Sequence, residues 1–201
     1  MDRLNNIQTK YPKIDIEETI DLMDIPESDK EKRVELARKI SEVFDWLFAF
    51  VISASYAQLD ISIEELTLSV EYRLKDLVDV DIRYVSEQVE RFAEDAVATT
   101  VDRQDEDYFL SPQRSSEIAI DEANSVCGYE ELDEAIKQGK TKKTWVSEKL
   151  KSTRKWHREM DGKTIPIEDY FHFDDCDMMM PHAIEGTARQ NSNCLCSLSF
   201  S

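Results

Sequence analysis

The sequence predicts an α+β fold, with long amphipathic helices in the N-terminal region followed by a small α+β domain that contains a few short strands. Apolar residues recur at three- and four-residue steps through much of residues 36–96, which is the spacing of helices with one buried face. The 201 residues include only four glycines and five prolines, too few for a fold rich in turns. Beyond residue 139 the pattern changes to short β-prone runs, which predict strands.

Two serine motifs predict where the N-terminal helices begin. Ser28-x-x-Glu31 and Ser62-x-x-Glu65 both have the form of a capping box, in which a hydroxyl and a carboxylate satisfy unpaired backbone N–H groups. Each motif precedes an apolar stripe, so we expect two long helices that pair antiparallel. The stripes fit either a helix-pair core or an arm that docks on a partner. The apolar phase slips near residues 80–82, where the second helix should kink or break.

Composition divides the chain into three predicted regions. Residues 1–100 are expected to form the helical region, residues 101–112 (VDRQDEDYFLSP) a linker, and residues 113–201 the C-terminal domain. Hydrophobic residues make up 41% of the chain, which excludes wholesale disorder although 34% of the residues are charged.

The C-terminal domain is predicted to begin with two helices and to end with strands. The first helix should stop at Cys127-Gly128, and a shorter second helix should stop at Gly139. Residues 168–192 look like an irregular loop. Strands are expected at TKKTWVSE, at KTIPI beyond the Asp161-Gly162 turn, and in the tail NCLCSLSF. The tail strand must return to the strand that carries Trp145 if this domain is to close.

The net charge of −18 is unevenly distributed. Residues 137–158 carry +8, which leaves −26 on the rest of the chain. A whole-molecule charge of that sign repels nucleic acid and membrane surfaces at long range. The basic segment is either a solvated strand and turn that balances the acidic helices, or a local contact to phosphate. In the second case the contacts would come from Lys140, Lys142, Lys143, Lys151 and Lys155.

The sequence carries no signal of secretion or membrane insertion. There is no run of 18 apolar residues, and the N-terminal stretch MDRLNNIQTKYPK lacks the apolar core of a signal peptide. The four cysteines are too few and too unevenly spaced for a secreted disulfide scaffold. We therefore expect a protein that is made in the cytoplasm and has no membrane anchor.

An ordered set of short motifs runs through residues 113–200. The set comprises Arg114-Ser-Ser-Glu117, Trp145, Arg154-x-x-His157, Met160-Asp161-Gly162, Pro166 and Asn193-Cys194-x-Cys196. In this order the motifs resemble the C-terminal domain of the phage Mu F-like minor head proteins, also called phage head morphogenesis proteins. The resemblance covers a little under half of the chain and does not extend to residues 1–100.

The resemblance implies a virion component, assembled in the host cytoplasm, rather than a metabolic enzyme. Members of that family are minor capsid proteins at the portal vertex that act in head assembly, DNA packaging or ejection. The expected partners are the portal protein, the major capsid protein or both, with packaged DNA as a further partner of the basic segment. The residues expected to close the fold are Arg114, Glu117, Trp145, Arg154, His157, Asp161 and Gly162.

The resemblance also raises the question of zinc. Many relatives carry Cys-x-x-Cys where this chain has Arg154-x-x-His157, and Cys-Arg-Cys where it has Cys194-x-Cys196. Four thiolates of that kind would form a tetrahedral zinc site. Arg154 cannot bind a metal, so the candidate ligands here are His157, Cys194 and Cys196. A fourth ligand would have to come, at no diagnostic spacing, from Cys176, His172, His182 or Asp161.

The sequence favours a structural role for the same residues over a zinc site. His157 would hydrogen-bond the backbone of the closing strand, and Asp161 would stabilise the turn through its side chain. Cys194 and Cys196 would face the same side of the last strand, because residues two apart share a face. In that case the protein needs no cofactor.

An enzyme centred on His157 is the second alternative. His157 would act as general base beside Asp161 or Glu159, in a small metal-dependent hydrolase or nuclease, or in a toxin-like effector. The sequence contains no Gly-rich phosphate loop, no His-Glu-x-x-His and no nucleophile-elbow serine. We therefore expect no catalytic residues and no enzymatic activity.

Overall fold

The structure is a computed structural model that describes residues 2–82 and 84–201. In these ranges the helices are α1 (Asp2–Lys10), α2 (Ile16–Ile20), α3 (Glu27–Ala57), α4 (Ile63–Lys75), α5 (Val85–Asp102), α6 (Pro112–Lys137), α7 (Lys155–Met160) and α8 (Ala188–Asn191). The strands are β1 (Lys142–Val146), β2 (Thr164–Pro166), β3 (Phe171–His172), β4 (Asp177–Met178) and β5 (Ser197–Phe200). The predicted α+β class is confirmed.

The two longest helices, α3 and α6, pack against each other at the centre of the core. The predicted pairing of α3 with the helix after residue 62 is only secondary, because α4 and α5 both contact α3 but pack mainly on each other. The physical reason lies in the side chains of α6, which buries small residues such as Ser115, Ala119 and Ala123 and so lets α3 approach closely. At this contact the Ser115 hydroxyl donates to the carbonyl oxygen of Ser41 over 3.0 Å.

The serine of one of the two capping motifs acts as predicted. The Ser62 hydroxyl accepts a hydrogen bond from the backbone N–H of Glu65, at 3.3 Å, at the start of α4. The prediction for Ser28 is wrong, because α3 already begins at Glu27 and Pro26 is its N-cap. Pro26 has no side chain that can cap the helix, and its carbonyl accepts from the N–H of Lys30 over 3.1 Å. The predicted break near residues 80–82 is confirmed by the gap between α4 and α5.

Helix α6 is continuous, so the predicted stop at Cys127-Gly128 is wrong. A Cβ atom at Gly128 would lie 3.1 Å from the side chain of Met180. The glycine therefore allows the side chain of Met180 to pack closely against α6. The predicted stop at Gly139 is confirmed. Gly139 has φ +77°, its N–H donates to the carbonyl of Ile136, and the next N–H donates to the carbonyl of Ala135. This is the Schellman arrangement that glycine favours.

Residues 101–112, predicted to be a linker, are folded. They contain the end of α5, a 3-10 helix (Asp107–Leu110) and Ser111, whose hydroxyl caps α6. One cluster of buried apolar side chains extends from Ile7 to Ala183, across the predicted boundary between the two regions.

Helix α3 is long and apolar enough, by length and composition alone, to cross a membrane. The core helix of a folded protein meets the same criterion, and α3 packs against α6 in this way. The absence of a membrane anchor therefore stays a prediction.

The tail strand returns to the Trp145 strand, as predicted. Strand β1 lies between β2 and β5, and both pairings are antiparallel. Trp145 is opposite Leu198 in this register. The segment expected to be an irregular loop also contains the β3–β4 hairpin and the short helix α8. Trp145, Phe171, Cys194 and Cys196 form a second, small apolar cluster behind the sheet.

Replacing Gly162 with valine should lower the free energy of unfolding by about 1–2 kcal/mol. Gly162 has φ +76° in the turn before β2, and its N–H donates to the carbonyl of Trp145 over 2.9 Å. A Cβ atom there would meet no atom within 4 Å, so the cost is conformational rather than steric. Urea unfolding measures it. Gly162→Asn is the matched control, because asparagine tolerates this conformation better, and equal stability of the valine variant and wild type would contradict the prediction.

Candidate functional site

The candidate site is a buried cluster of one histidine and two cysteines beside the small sheet. Exposure is 1% for His157, 3% for Cys194 and 4% for Cys196. The Nδ1 atom of His157 lies 3.5 Å from the Sγ atom of Cys194 and 3.4 Å from that of Cys196. The ligand atoms of all three residues lie within 4.8 Å of one another. The fold therefore brings together the three metal-ligand candidates named from the sequence.

The two cysteines precede the last strand, so their predicted place on that strand is wrong. Strand β5 begins only at Ser197. The chain bends before it at Asn193, which has φ +54° and whose N–H donates to both carboxylate oxygens of Asp121, at 3.0 and 3.1 Å. The N–H of Cys196 then points at the Sγ atom of Cys194, 3.4 Å away. This tight local bend, rather than the alternation of a strand, turns both sulfur atoms toward the imidazole.

Gln190 determines the tautomer of His157. Its Nε2 donates to Asp175 over 2.6 Å, and its Oε1 accepts from the indole N–H of Trp156 over 2.6 Å, so the orientation of the amide is settled by its partners. The same Oε1 lies 2.9 Å from Nε2 of His157, which must therefore carry the proton. The lone pair of Nδ1 consequently faces the two thiols.

Aromatic rings cover the cluster on one side. The ring of Trp145, fully buried, lies edge-on to His157 at 5.4 Å, to Phe171 at 5.1 Å and to Phe173 at 5.4 Å between centroids. Such edge-to-face contacts are the favoured geometry for aromatic pairs. The rings exclude water from the imidazole on this side, which strengthens electrostatic interactions within the cluster.

The two thiols differ in acidity because they are hydrogen-bonded to each other. The hydrogen bond from Cys194 lowers the pKa of Cys196, and the neighbouring His157 lowers it further against the cost of burial. The same pairing, together with burial, raises the pKa of Cys194 well above its usual value. The arrangement therefore favours one thiolate, on Cys196, hydrogen-bonded by the thiol of Cys194.

The donor set fits a zinc ion. Two cysteine sulfurs and one imidazole nitrogen are ligands that zinc prefers. With bonds of about 2.3 Å to sulfur and about 2.0 Å to nitrogen, tetrahedral ligands stand about 3.5 Å apart. The nitrogen–sulfur separations here are 3.5 and 3.4 Å. The hydrogen bond from His157 to Gln190 is also of the kind that orients a histidine ligand.

None of the four fourth-ligand candidates joins this group among the residues that the structure describes. Asp161 accepts a hydrogen bond from the N–H of Ser147 at 2.9 Å, as expected of a residue that stabilises a turn. His172 pairs with Asp177 at the surface, over 2.7 Å. His182 is buried 3.9 Å from Asp121, and Cys176 is half-buried near Asp175. The described cluster therefore provides three protein ligands.

The predicted fold-closing residues separate into two groups. Trp145, His157, Asp161 and Gly162 surround the sheet as described above, and the guanidinium of Arg154 donates to the carbonyl of Ser192 in the segment before the cysteines.

The second group, Arg114 and Glu117, instead holds the start of α6. Arg114 donates to the hydroxyl of Thr100 and to the carbonyl of Phe109, and Glu117 accepts from Tyr108 and Gln113.

Four of the five predicted phosphate-contact lysines are exposed, namely Lys140, Lys142, Lys151 and Lys155. The prediction for Lys143 is wrong, because its side chain is fully buried and its ammonium lies 2.8 Å from the sulfur of Met179. Burial lowers the pKa of Lys143 to about 8.

Two residues of the site were not predicted from the sequence. Gln190 lies on α8, and no sequence signal marks it. Glu148 lines a cavity of about 30 Å³ together with His157 and both cysteines, and its carboxylate accepts a hydrogen bond from the N–H of Asp24. Burial raises the pKa of Glu148. In the sequence, Glu148 is marked only by being the single acidic residue within the basic segment, residues 137–158.

Comparison of the chain with protein-family models, with curated proteins and with solved structures finds no match in any of the three.

Proposed function

We propose that the protein is a minor capsid protein of a phage head, associated with the portal vertex and acting in head assembly, DNA packaging or ejection. The observation that carries the proposal is the antiparallel pairing of β5 with β1. Around this pairing lie Trp145, His157, the Asp161-Gly162 turn and both cysteines. Most of the motifs that resemble those of the Mu F-like head proteins thus surround one strand pair, although they are scattered over the sequence; the Arg114–Glu117 motif lies at the start of α6.

The geometry supports an assembly role better than the enzyme alternative. A general base must reach a proton of its substrate. His157 is 1% exposed, and the cavity beside it is small, at about 30 Å³. The imidazole is therefore poorly placed to reach a substrate.

Quantifying the chain in intact particles tests the proposed location. Particles are purified on a density gradient from a lysate of the host that carries this gene, and their proteins are quantified by mass spectrometry. We expect the chain to sediment with the particles at a few copies for each portal. Cells that express the chain alone are the control for sedimentation without particles. A chain found only in the soluble fraction would contradict the proposal.

The exposed basic segment is proposed to contact packaged DNA. Replacing Lys140, Lys142, Lys151 and Lys155 together with alanine should weaken DNA binding and reduce the slope of log K against log salt by up to about four, because each phosphate contact contributes about one. Fluorescence anisotropy of labelled duplex DNA over a salt series measures both. Lys143→Met is the matched control, because that lysine is buried. DNA binding that does not respond to salt would rule out the contact.

We further propose that His157, Cys194 and Cys196 hold a zinc ion, as three of its four ligands. The support is the convergence of three suitable donor atoms at separations that suit tetrahedral zinc, with Nδ1 of His157 free of a proton. A zinc ion there would supply a cross-link between α7 and the segment before β5.

A further inference from the structure

A groove between α3 and α4 is open at the surface and partly apolar. It has a volume of about 660 Å³, and its apolar lining consists of Val43, Leu68, Tyr72 and Leu77. Leu68 is 58% exposed and Tyr72 is 76% exposed, although both side chains are large. The two residues are four positions apart on α4, so they are neighbours on one face of the helix. Neighbouring exposed side chains of this kind beside a groove are typical of an interaction surface.

The lining of the groove is balanced in charge, unlike the chain as a whole. Its charged side chains are two bases and two acids, Lys39, Arg73, Glu42 and Asp76. The net charge of −18 makes two copies of the chain repel each other at long range, so they approach most easily through a surface without excess charge. A balanced lining does not select a strongly acidic or strongly basic partner. It suits a surface that also carries both signs, which a second copy of the same groove provides.

The charges along α4 are arranged symmetrically about Ser69. Glu65 lies four residues before Ser69 and Arg73 lies four residues after it, so the three side chains follow one side of the helix. Neither Glu65 nor Arg73 makes an ion pair within the described part of the chain, and the guanidinium of Arg73 lies over the ring of Trp46, 4.2 Å from its centroid. A second α4 that runs antiparallel, with a two-fold axis at Ser69, would place each Glu65 opposite Arg73 of the other copy.

The same axis brings the exposed apolar side chains together. Leu68 and Tyr72 lie on either side of the midpoint of α4, so an antiparallel copy places Leu68 of one chain close to Tyr72 of the other. Ser69 also lines the groove, and its small side chain at the axis allows the two helices to approach closely. Both the apolar and the charged side chains therefore match a second copy in one register.

We propose that α4 forms the interface of a homodimer, in which the α4 helices of two copies pair antiparallel about a two-fold axis near Ser69. An interface with two-fold symmetry must be complementary to itself, and this order of charges and apolar side chains meets that condition. Helix α4 has 13 residues, fewer than the about 20–30 residues that each partner contributes to a standard interface. The dimer is therefore weak, and unfolding experiments on dilute protein report on the monomer. The interface is separate from the histidine–cysteine cluster and does not depend on the proposed role in a phage head.

Sedimentation velocity of the full chain, from micromolar to several hundred micromolar protein, tests the dimer. The average mass of the wild type should rise toward that of two chains with concentration. Leu68→Asp should abolish the rise, because a carboxylate would be buried against a second copy. Leu22→Asp is the matched control, because Leu22 is 47% exposed outside the groove, and this variant should still dimerise. A wild type that stays monomeric throughout, or a dimer unaffected by Leu68→Asp, would overturn the proposal.

A charge exchange tests the antiparallel register. In Glu65→Arg two arginines would face each other at both ends of the interface, and in Arg73→Glu two glutamates would do so. Each variant alone should dimerise about tenfold more weakly than the wild type, since two ion pairs become repulsive. An equimolar mixture should recover dimers that contain one copy of each, because both ends then pair opposite charges, and native mass spectrometry distinguishes them.

A mixture that associates no better than its separate components would overturn the proposed register. Circular dichroism of each variant checks that its helices remain folded. If either variant fails to fold, the comparison of wild type, Leu68→Asp and Leu22→Asp decides by itself whether α4 is the interface.

Discussion

Replacing Trp145 with alanine is expected to lower the free energy of unfolding by about 3–5 kcal/mol. Trp145 is fully buried on the central strand of the small sheet, and its indole contacts the rings of His157, Phe171 and Phe173. The surrounding cluster is small and the sheet has only three strands. Few side chains are therefore able to move into the space that alanine would leave, so the cavity should persist.

Urea unfolding followed by circular dichroism measures this loss without relying on tryptophan fluorescence. Tyr72→Ala is the control for removal of an aromatic side chain, because Tyr72 is 76% exposed on α4. That variant should change stability by no more than about 0.5 kcal/mol. A cost below about 1 kcal/mol for Trp145→Ala would mean that the domain does not depend on this ring for its closure.

The sequence predicts helices well where local periodicity decides, and less well where packing partners decide. The stripe from Leu36 to Val51 places α3 correctly because its buried residues follow the helical period. The choice of α6 as the partner of α3 depends on how closely two surfaces approach, which periodicity does not encode. The continuity of α6 through Gly128 has a similar cause, because the glycine accommodates Met180, which is distant in sequence.

The candidate site likewise contains residues that the sequence predicts and residues whose role depends on tertiary contacts. The resemblance indicates His157, Cys194 and Cys196 as candidate ligands, and the fold brings them together. Gln190, which orients the imidazole, has no sequence signal because its role arises from contacts over more than 30 residues. Lys143 was predictable in retrospect. It lies two residues from Trp145 on β1, so both share the face that packs inward.

Withdrawing zinc is expected to produce the second large effect, provided that the histidine–cysteine cluster holds the ion as proposed. The purified chain should contain about one zinc per molecule, and a chelator should lower its stability by about 3 kcal/mol or more. For a domain of this size that loss lowers Tm by about 6–12 °C. The ion would join α7 to the segment before β5, and without it this connection depends on weaker contacts of the sulfur atoms with Nδ1.

The variant Cys194→Ser/Cys196→Ser separates zinc from ordinary hydrogen bonding. Serine hydroxyls are able to hydrogen-bond Nδ1 of His157, but zinc in proteins prefers thiolates to hydroxyls. The variant should therefore lose its zinc, as measured by elemental analysis, and should no longer respond to chelator. Cys176→Ser is the control, because Cys176 lies outside the cluster. Because zinc binds thiolates, the metal should also dissociate as the pH falls and the sulfurs are protonated. A wild-type chain that is free of zinc after growth in zinc-supplemented medium, with a Tm unaffected by chelator, would reduce the cluster to three hydrogen-bonded side chains.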